Sequence, residues 1–243
     1  MADDVDVDVV GALEGWLQAR PPTTLLGLAD RLLIASVDRS RTEGPALAKR
    51  FAADVVVAAS SVEVIPSFTT LCVAASALES FDVDVTELRF SLALASRVVS
   101  IDSYPEPFRS TARYWLWRAG LARSFVDDGV APADPRLAFA FHTHRVLFAA
   151  GYGATPVQHA IGWDEAQAGV DVDCADSVAL VLLCAACVGE TVDLWGRLRE
   201  LVADDGTPRT HVDSDAARHH AACVAVLAAS LSAASVDSTI EEW

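Results

Sequence analysis

The sequence contains a single lysine, Lys49, and no asparagine, and its 34 acidic side chains outnumber 18 basic ones. Proteins meet the phosphates of nucleic acids with clustered Lys and Arg, so this balance predicts that nucleic acid is not a partner. The longest strongly apolar run, residues 178–188, is too short to cross a bilayer, which takes roughly 20 residues. Residues 1–10 lack the basic and then apolar pattern of a secretory signal. We therefore expect a soluble, cytoplasmic protein without a membrane span.

The sequence also lacks the short motifs of the common nucleotide-binding and hydrolytic enzymes. It has no glycine-rich phosphate loop, no Gly-x-Ser-x-Gly and no His-Glu-x-x-His. These absences disfavour Rossmann enzymes, P-loop ATPases, α/β-hydrolases and zinc proteases. We therefore predict no catalytic residue and no cofactor, and we favour a non-catalytic protein over an enzyme.

The charges that are present have an unusual composition. The chain of 243 residues carries 23 Asp against 11 Glu and 17 Arg, with a net charge of −16 and 52% hydrophobic residues. Short, strongly hydrated carboxylates suit a surface that stays soluble in molar salt, where screening reduces their mutual repulsion. A GC-rich genome accounts for part of the arginine bias. The composition resembles that of haloarchaeal proteins and predicts a salt-adapted protein.

Helical periodicity and capping signals recur along the chain, and strand signals are few. We predict an all-α fold: a single domain over residues 1–243, with about nine or ten helices packed around a central apolar helix at about 176–203. Residues 1–5 and 236–243 are predicted to be frayed tails.

Capping and helix-breaking residues give the approximate boundaries. Two short stretches, residues 53–59 and 96–102, are also compatible with strands. Asp134-Pro135 and Thr155-Pro156 each have the pattern of a cap followed by a first helical residue. The predicted helices cover about 6–19, 23–37, 45–64, 67–80, 84–99, 104–128, 135–152, 157–169, 176–203 and 215–235.

The five cysteines are predicted to pack in the core. Cys184 and Cys187 form a Cys-x-x-Cys inside the apolar helix, which we expect Asp173 or Asp176 to cap. A redox motif needs its first thiol at a helix N-terminus, and zinc needs a second pair with matching spacing. The other cysteines are single: Cys72, Cys174 and Cys223.

The histidines do not predict a metal site. His142 and His144 are two residues apart on a predicted helix and point to different sides of it. His219 and His220 are adjacent and have the same problem, although His211 in a nearby loop is able to join one of them. We interpret all five as structural or surface histidines.

Residues 108–123 form the most unusual segment, because four arginines, ending with Arg123, fall on one predicted helix beside aromatic side chains. Guanidinium groups beside aromatic rings suit a carboxylate or a phosphate-bearing ligand. The alternative is that each arginine pairs with a nearby carboxylate while the tryptophans anchor the core. The candidate anion-binding residues are Arg109, Arg113, Tyr114, Trp117 and Arg118.

Residues 58–71, AASSVEVIPSFTTL, resemble a helix of the trans-isoprenyl diphosphate synthases, the polyprenyl synthetase family. The resemblance rests mainly on Val62, Glu63 and Ile65. It implies an all-α fold with a similar number of helices. It also implies an allylic diphosphate ligand that is held through Mg²⁺ and basic residues.

The chain departs from that family where the metal-binding aspartates should follow, because residues 72–74 are Cys-Val-Ala. Pro66 replaces the family's histidine, and no second aspartate-rich motif follows. The resemblance therefore implies a degenerate, non-catalytic relative, for which Mg²⁺ would be a cofactor only if a diphosphate is bound.

Two hypotheses about function result. In the first, the protein is non-catalytic and binds a protein partner or its own copy as a homo-oligomer. In the second, an isoprenoid-synthase-like protein binds an anionic, diphosphate-type small molecule. The second requires Arg109, Arg113 and Arg118 to converge on a cavity, whereas the first has them individually paired with Asp or Glu.

Overall fold

Every regular element that the computed structural model describes is helical, and the all-α prediction is confirmed for these residues. The described residues are 5–22, 24–37, 45–46, 48–49, 52, 67–155, 157 and 160–238. They contain α1 (Val7–Ala19), α2 (Leu25–Val37), α3 (Phe68–Glu79), α4 (Thr86–Ala95), α5 (Phe108–Arg118), α6 (Pro135–Ala149), α7 (Trp163–Ala168), α8 (Ala175–Val188), α9 (Trp195–Glu200) and α10 (Asp215–Ser238). A 3₁₀ turn, Ile101–Ser103, precedes α5.

The chain divides into two compact units. The first unit joins the start of the chain, up to Pro22, to the part from Ala133 onward, and contains α1 and α6 to α10. The second unit is formed by the intervening part of the sequence, from Thr23 to Pro132, and contains α2 to α5. One domain over residues 1–243 therefore stays a prediction.

The first unit is built around α8, which is buried on almost every face and packs against α6, α9 and α10. An apolar helix without a polar face is stable only when neighbours cover it on all sides. Its N-cap is Cys174, whose side chain makes no capping hydrogen bond, so the capping role predicted for Asp173 or Asp176 is wrong. The helix ends at Gly189, which adopts a left-handed φ of 72°. The central helix is therefore shorter than the predicted 176–203, and α9 follows as a separate helix.

The start of the first unit is held by α1. Asp6 caps this helix by accepting a hydrogen bond from Val9 N at 3.2 Å, and it pairs with Arg199 at 2.5 Å. Trp16 donates from Nε1 to Thr207 Oγ1 at 3.0 Å. The loop carrying Thr207 approaches so closely that a Cβ on Gly206 would lie 2.3 Å from the Ala12 carbonyl oxygen.

The second unit packs α3 against α2, α4 and α5. Arg89 of α4 connects three elements: its Nε donates to the Ala119 carbonyl at 2.9 Å, and its Nη2 donates to Glu79 of α3 at 2.6 Å. A guanidinium at the C-terminal end of α5 satisfies a carbonyl that has no partner within the helix. Leu88, Leu92 and Ala95 form the buried face of α4.

Glycines shorten two further predicted helices. Gly162 has a φ of 95° and α7 begins only after it, so the helix predicted from residue 157 is wrong at its start. Gly120, with a φ of 73°, follows the end of α5 and places Arg123 outside the helix on which it was predicted. The helix predicted at 215–235 instead continues to Ser238, into the predicted tail.

The remaining predictions fall in two groups. Residues 96–102 form a turn and the start of the 3₁₀ element, so the strand interpretation there is wrong. The predicted helix at 45–64, the strand alternative at 53–59 and the part of the isoprenyl-synthase resemblance at 58–66 fall mainly or wholly outside the described residues. Among the described helices, none has the length and apolar character needed to cross a membrane.

Candidate functional site

The predicted anion-binding residues lie on α5 in the second unit. Glu106, just before this helix, is 8% exposed and accepts a hydrogen bond from the backbone N of Ser110 at 3.1 Å. A carboxylate at a helix N-terminus accepts a hydrogen bond from an N–H group that has no partner within the helix. Its negative charge also interacts favourably with the positive end of the helix dipole. The same carboxylate binds Arg109, whose Nε and Nη2 lie 2.8 and 2.7 Å from Glu106 Oε1. Arg109 therefore has a local, largely buried counter-ion.

Arg113 bridges two carboxylates from different segments. Its Nη2 donates to Asp102 of the 3₁₀ turn and its Nη1 donates to Asp128, each at 2.8 Å. The hydrogen bond to Asp102 and the charges of both carboxylates raise the pKa of Arg113 above its usual value, against a smaller effect of burial. The guanidinium thus ties α5 to the turn before it and to the loop after it.

Arg113 also lines a shallow groove of about 300 Å³ in the second unit. Asp128 lies in the same groove, so the arginine enters it with a counter-ion already in place. The other lining residues are Leu116, Ala122, Ser124, Phe125 and Val126.

Tyr114, Trp117 and Arg118 belong to an aromatic cluster. Tyr114 is fully buried and its ring lies 5.8 Å from Trp117 and 5.4 Å from Phe125, between ring centroids. The Arg118 guanidinium lies 6.0 Å from the Tyr114 ring centroid, and its Nη1 is 3.4 Å from the Tyr114 hydroxyl. Trp117 remains 38% exposed. Offset and edge-to-face aromatic contacts of this kind stabilise a core.

The five predicted residues are therefore neighbours on one helix, but their polar groups have separate partners. Arg109 binds Glu106, Arg113 binds Asp102 and Asp128, and Arg118 lies against Tyr114. For Arg109 and Arg113 the arrangement matches the alternative interpretation, in which each arginine pairs with a carboxylate, whereas Arg118 contacts an aromatic side chain. Whether the segment binds an anion stays a prediction.

The structure reveals a second feature that the sequence analysis missed, on the outward face of α4 and the turn that follows it. Phe90, Leu94 and Val98 follow one another at intervals of four residues and are 67%, 48% and 69% exposed. Phe90 and Leu94 share one face of α4. Val98 lies in the turn that follows, where the N–H groups of Arg97 and Val98 donate to the carbonyls of Leu94 and Ala95 and continue the winding of the helix. The three side chains therefore form a continuous apolar stripe. We call Phe90, Leu94 and Val98 the α4 stripe. The four-residue spacing is present in the sequence. However, the residues of the buried face of α4 have similar spacing, so the sequence does not show which of the two apolar faces is exposed.

The cysteines lie in the core, as predicted, and His211 lies on the surface. All five cysteines are free and buried, and burial raises the pKa of Cys72 and of Cys187 to about 12. Raised thiol pKa values are the opposite of what a redox Cys-x-x-Cys requires. His211 contacts Asp171 at 2.6 Å and joins neither of the adjacent histidines on α10. The described residues hold no group of three or more His, Cys, Asp or Glu side chains suited to a metal ion.

The described fold is all-α. Two arginines of α5 form ion pairs with carboxylates, and one face of α4 exposes apolar side chains. No protein-family model, no curated protein and no solved structure matches the chain.

Proposed function

We propose that the protein is a non-catalytic, salt-adapted helical protein that acts by binding another protein chain. The observation that carries the proposal is the α4 stripe, in which three large apolar side chains in a row are about half or more exposed. Single exposed apolar residues are ordinary, but contiguous exposed patches mark interaction surfaces.

The surroundings of the stripe support this interpretation. The opposite face of α4 is buried through Leu88, Leu92 and Ala95, and Arg89 anchors the helix to α3 and to the end of α5. The stripe is therefore presented on a fixed support, which limits the conformational entropy that binding would cost.

Site-specific photo-crosslinking tests the proposal. A photoreactive phenylalanine analogue replaces Phe90 in one variant and Val130 in a second, and both variants are irradiated at millimolar concentration in extract from the native host in molar KCl. Val130 is a matched control because it lies in the same unit and is 77% exposed, but is not on α4. We expect a discrete crosslinked protein chain from position 90 and none from position 130. Equal labelling from both positions, or none from position 90, would overturn the proposal.

The alternative function is that of an isoprenoid-synthase-like protein that binds a diphosphate-type anion. One observation favours it: Arg113, a predicted ligand residue, lines the groove of about 300 Å³. The two carboxylates on Arg113 count against it, because an incoming anion would have to displace them. Residues 72–74 supply no carboxylate where that family holds Mg²⁺, so Mg²⁺ does not fit here.

A thermal-unfolding screen in molar KCl separates this alternative from the first proposal. The compounds are isoprenyl diphosphates, free diphosphate, nucleotides and common carboxylates, each with and without Mg²⁺. A ligand that binds only the native state raises the melting temperature in a saturable manner. The alternative requires such a rise and its loss in Arg113→Ala, with Arg123→Ala as the control. A flat response across all compounds would contradict it.

A further inference from the structure

The α4 stripe has charged neighbours at both ends. Glu87, in the first turn of α4, and Arg97, just after its last residue, are both exposed. At about 100° per residue, Glu87 lies on the same side of α4 as Phe90 and Leu94, and Arg97 precedes Val98 in the turn that continues the helix after Ala95. Neither makes an ion pair with any other residue in the described part of the chain. An acidic group thus lies near the N-terminal end of the surface and a basic group at its C-terminal end.

The exposed side chains of this surface are arranged symmetrically about one point of the helix. Phe90 and Leu94 are each two residues from position 92, and Glu87 and Arg97 are each five residues from it. Thr86 and Val98, which are also exposed, are each six residues from it. When two copies of one helix lie antiparallel about a two-fold axis, residues equidistant from the axis face each other.

From this symmetry, and resting on the function proposed above, we infer that the partner of the α4 stripe is a second copy of this chain. The two α4 helices lie antiparallel, with the two-fold axis level with residue 92. Phe90 of each copy then faces Leu94 of the other, and Val98 covers the methyl group of Thr86. Glu87 of each copy faces Arg97 of the other, so the pairing forms two reciprocal ion pairs.

The charge pattern explains why this register is selected. Two chains that each carry a net charge of −16 repel each other at the short range that salt leaves unscreened, so close contact needs local complementarity. A parallel pairing places Glu87 beside Glu87 and Arg97 beside Arg97, which is unfavourable in both cases. The antiparallel register converts the same four groups into two attractive pairs.

One short helix from each copy buries less than the roughly 800 Å² per partner of a standard stable interface. We therefore expect a weak dimer whose population rises with protein concentration from the micromolar to the millimolar range. Sedimentation equilibrium of the full chain in molar KCl measures this association directly.

Charge reversal provides the sharpest test, because it changes polar groups on the surface and leaves the core untouched. Glu87→Arg alone puts two guanidinium groups against each other, and Arg97→Glu alone puts two carboxylates together. We expect each single variant to weaken self-association about threefold, because molar salt screens exposed charges, and the double variant E87R/R97E to restore it. An equimolar mixture of the two single variants is also expected to associate, because every facing pair is then of opposite charge.

Truncation of the stripe is the second arm. Phe90→Ser is expected to weaken self-association by about tenfold or more, since Phe is the largest side chain on the surface. Val130→Ser, at an exposed position of the same unit, is the control and is expected to leave it unchanged. The inference is overturned if the wild type stays monomeric at millimolar concentration, or if the double variant and the mixture fail to recover.

The outcomes distinguish this inference from the proposed function. A wild type that stays monomeric but yields a crosslink to a different protein from position 90 overturns the self-association and leaves the proposed function standing. A wild type that stays monomeric and gives no crosslink contradicts both.

Discussion

Helices α8 and α4 are both rich in apolar residues, but the protein uses them differently. In α8, 11 of the 14 residues are buried, because α6, α9 and α10 surround the helix. In α4, three of the ten residues are buried, and two of the remaining residues are Phe90 and Leu94. The first helix therefore buries nearly all of its apolar surface on folding, and the second leaves part of its apolar surface exposed to solvent.

This difference predicts that substitutions on the two helices change different quantities. Apolar surface removed from water on folding contributes to the free energy of unfolding. Exposed apolar surface contributes nothing until something covers it, and then contributes to association. Substitutions on α8 should therefore change stability, and substitutions on the α4 stripe should change binding.

The largest expected effect comes from truncating one side chain on each helix. Leu183→Ala on α8 should lower the free energy of unfolding by about 2 to 5 kcal/mol, because Leu183 is 1% exposed and its loss leaves a cavity. Phe90→Ala on α4 should change it by less than about 0.5 kcal/mol, as at other exposed positions. Denaturant unfolding of dilute protein in molar KCl measures both. Similar losses for the two variants would contradict the contrast between the helices.

Thiol chemistry offers a second way to test the contrast. Burial raises the pKa of Cys187 to about 12 and raises that of Cys184 well above its usual value, so native α8 holds its thiols protonated. At pH 8 a thiol reagent should react with them about a thousandfold more slowly than with unfolded protein, because the thiolate is the reactive form. Thr86→Cys places a thiol on the exposed surface of α4 and should react at once. Rapid reaction of Cys184 or Cys187 under native conditions, located by peptide mass mapping, would show that α8 is accessible.

The sequence predicts those features that depend on neighbouring residues. Asp134-Pro135 indicated the start of α6, and Asp134 accepts hydrogen bonds from Arg136 N and Leu137 N at 2.9 and 3.1 Å. The burial of α8 was predictable because the helix has no polar face. These are local or compositional signals, and the structure agrees with them.

Other features could not be predicted, because they depend on which parts of the chain meet. Gly162 and Gly189 each begin or end a helix through a positive φ, but a glycine in the sequence is also tolerated inside a helix. The carboxylates that bind Arg113 lie 11 and 15 residues away, one before α5 and one after it, where no helical spacing relates them to Arg113. The exposure of the α4 stripe likewise depends on packing, since both faces of that helix are apolar.

Close backbone packing in the first unit gives a third, smaller effect. Gly206→Ala would place a Cβ 2.3 Å from the Ala12 carbonyl oxygen at a φ of +80°, which should cost about 2 kcal/mol or more. Gly15→Ala, on α1, is the control, because no atom lies within 4 Å of its new Cβ. That control should stabilise the helix by about 0.5 to 1 kcal/mol. Urea unfolding of both variants tests this, and equal behaviour would show that the 202–208 loop does not rest on α1.

The smallest expected effect concerns a polar group beside α8. Burial lowers the pKa of His144 on α6, while its Nδ1 donates to the Ala140 carbonyl at 2.5 Å, and it faces Asp176 of α8 and His220 of α10. Because its pKa is lower in the folded chain, the unfolded state binds more protons below pH 6.5. Stability contributed by neutral His144 is therefore complete above about pH 6.5 and declines as the pH falls, by at most about 1.4 kcal/mol per pH unit.

His144→Gln keeps a donor for Ala140 without this titration, so its unfolding free energy should decline less between pH 7.5 and 5.5. Parallel declines would mean that the surroundings of α8 admit a charged imidazole, and that the first unit is less completely closed than α8 indicates.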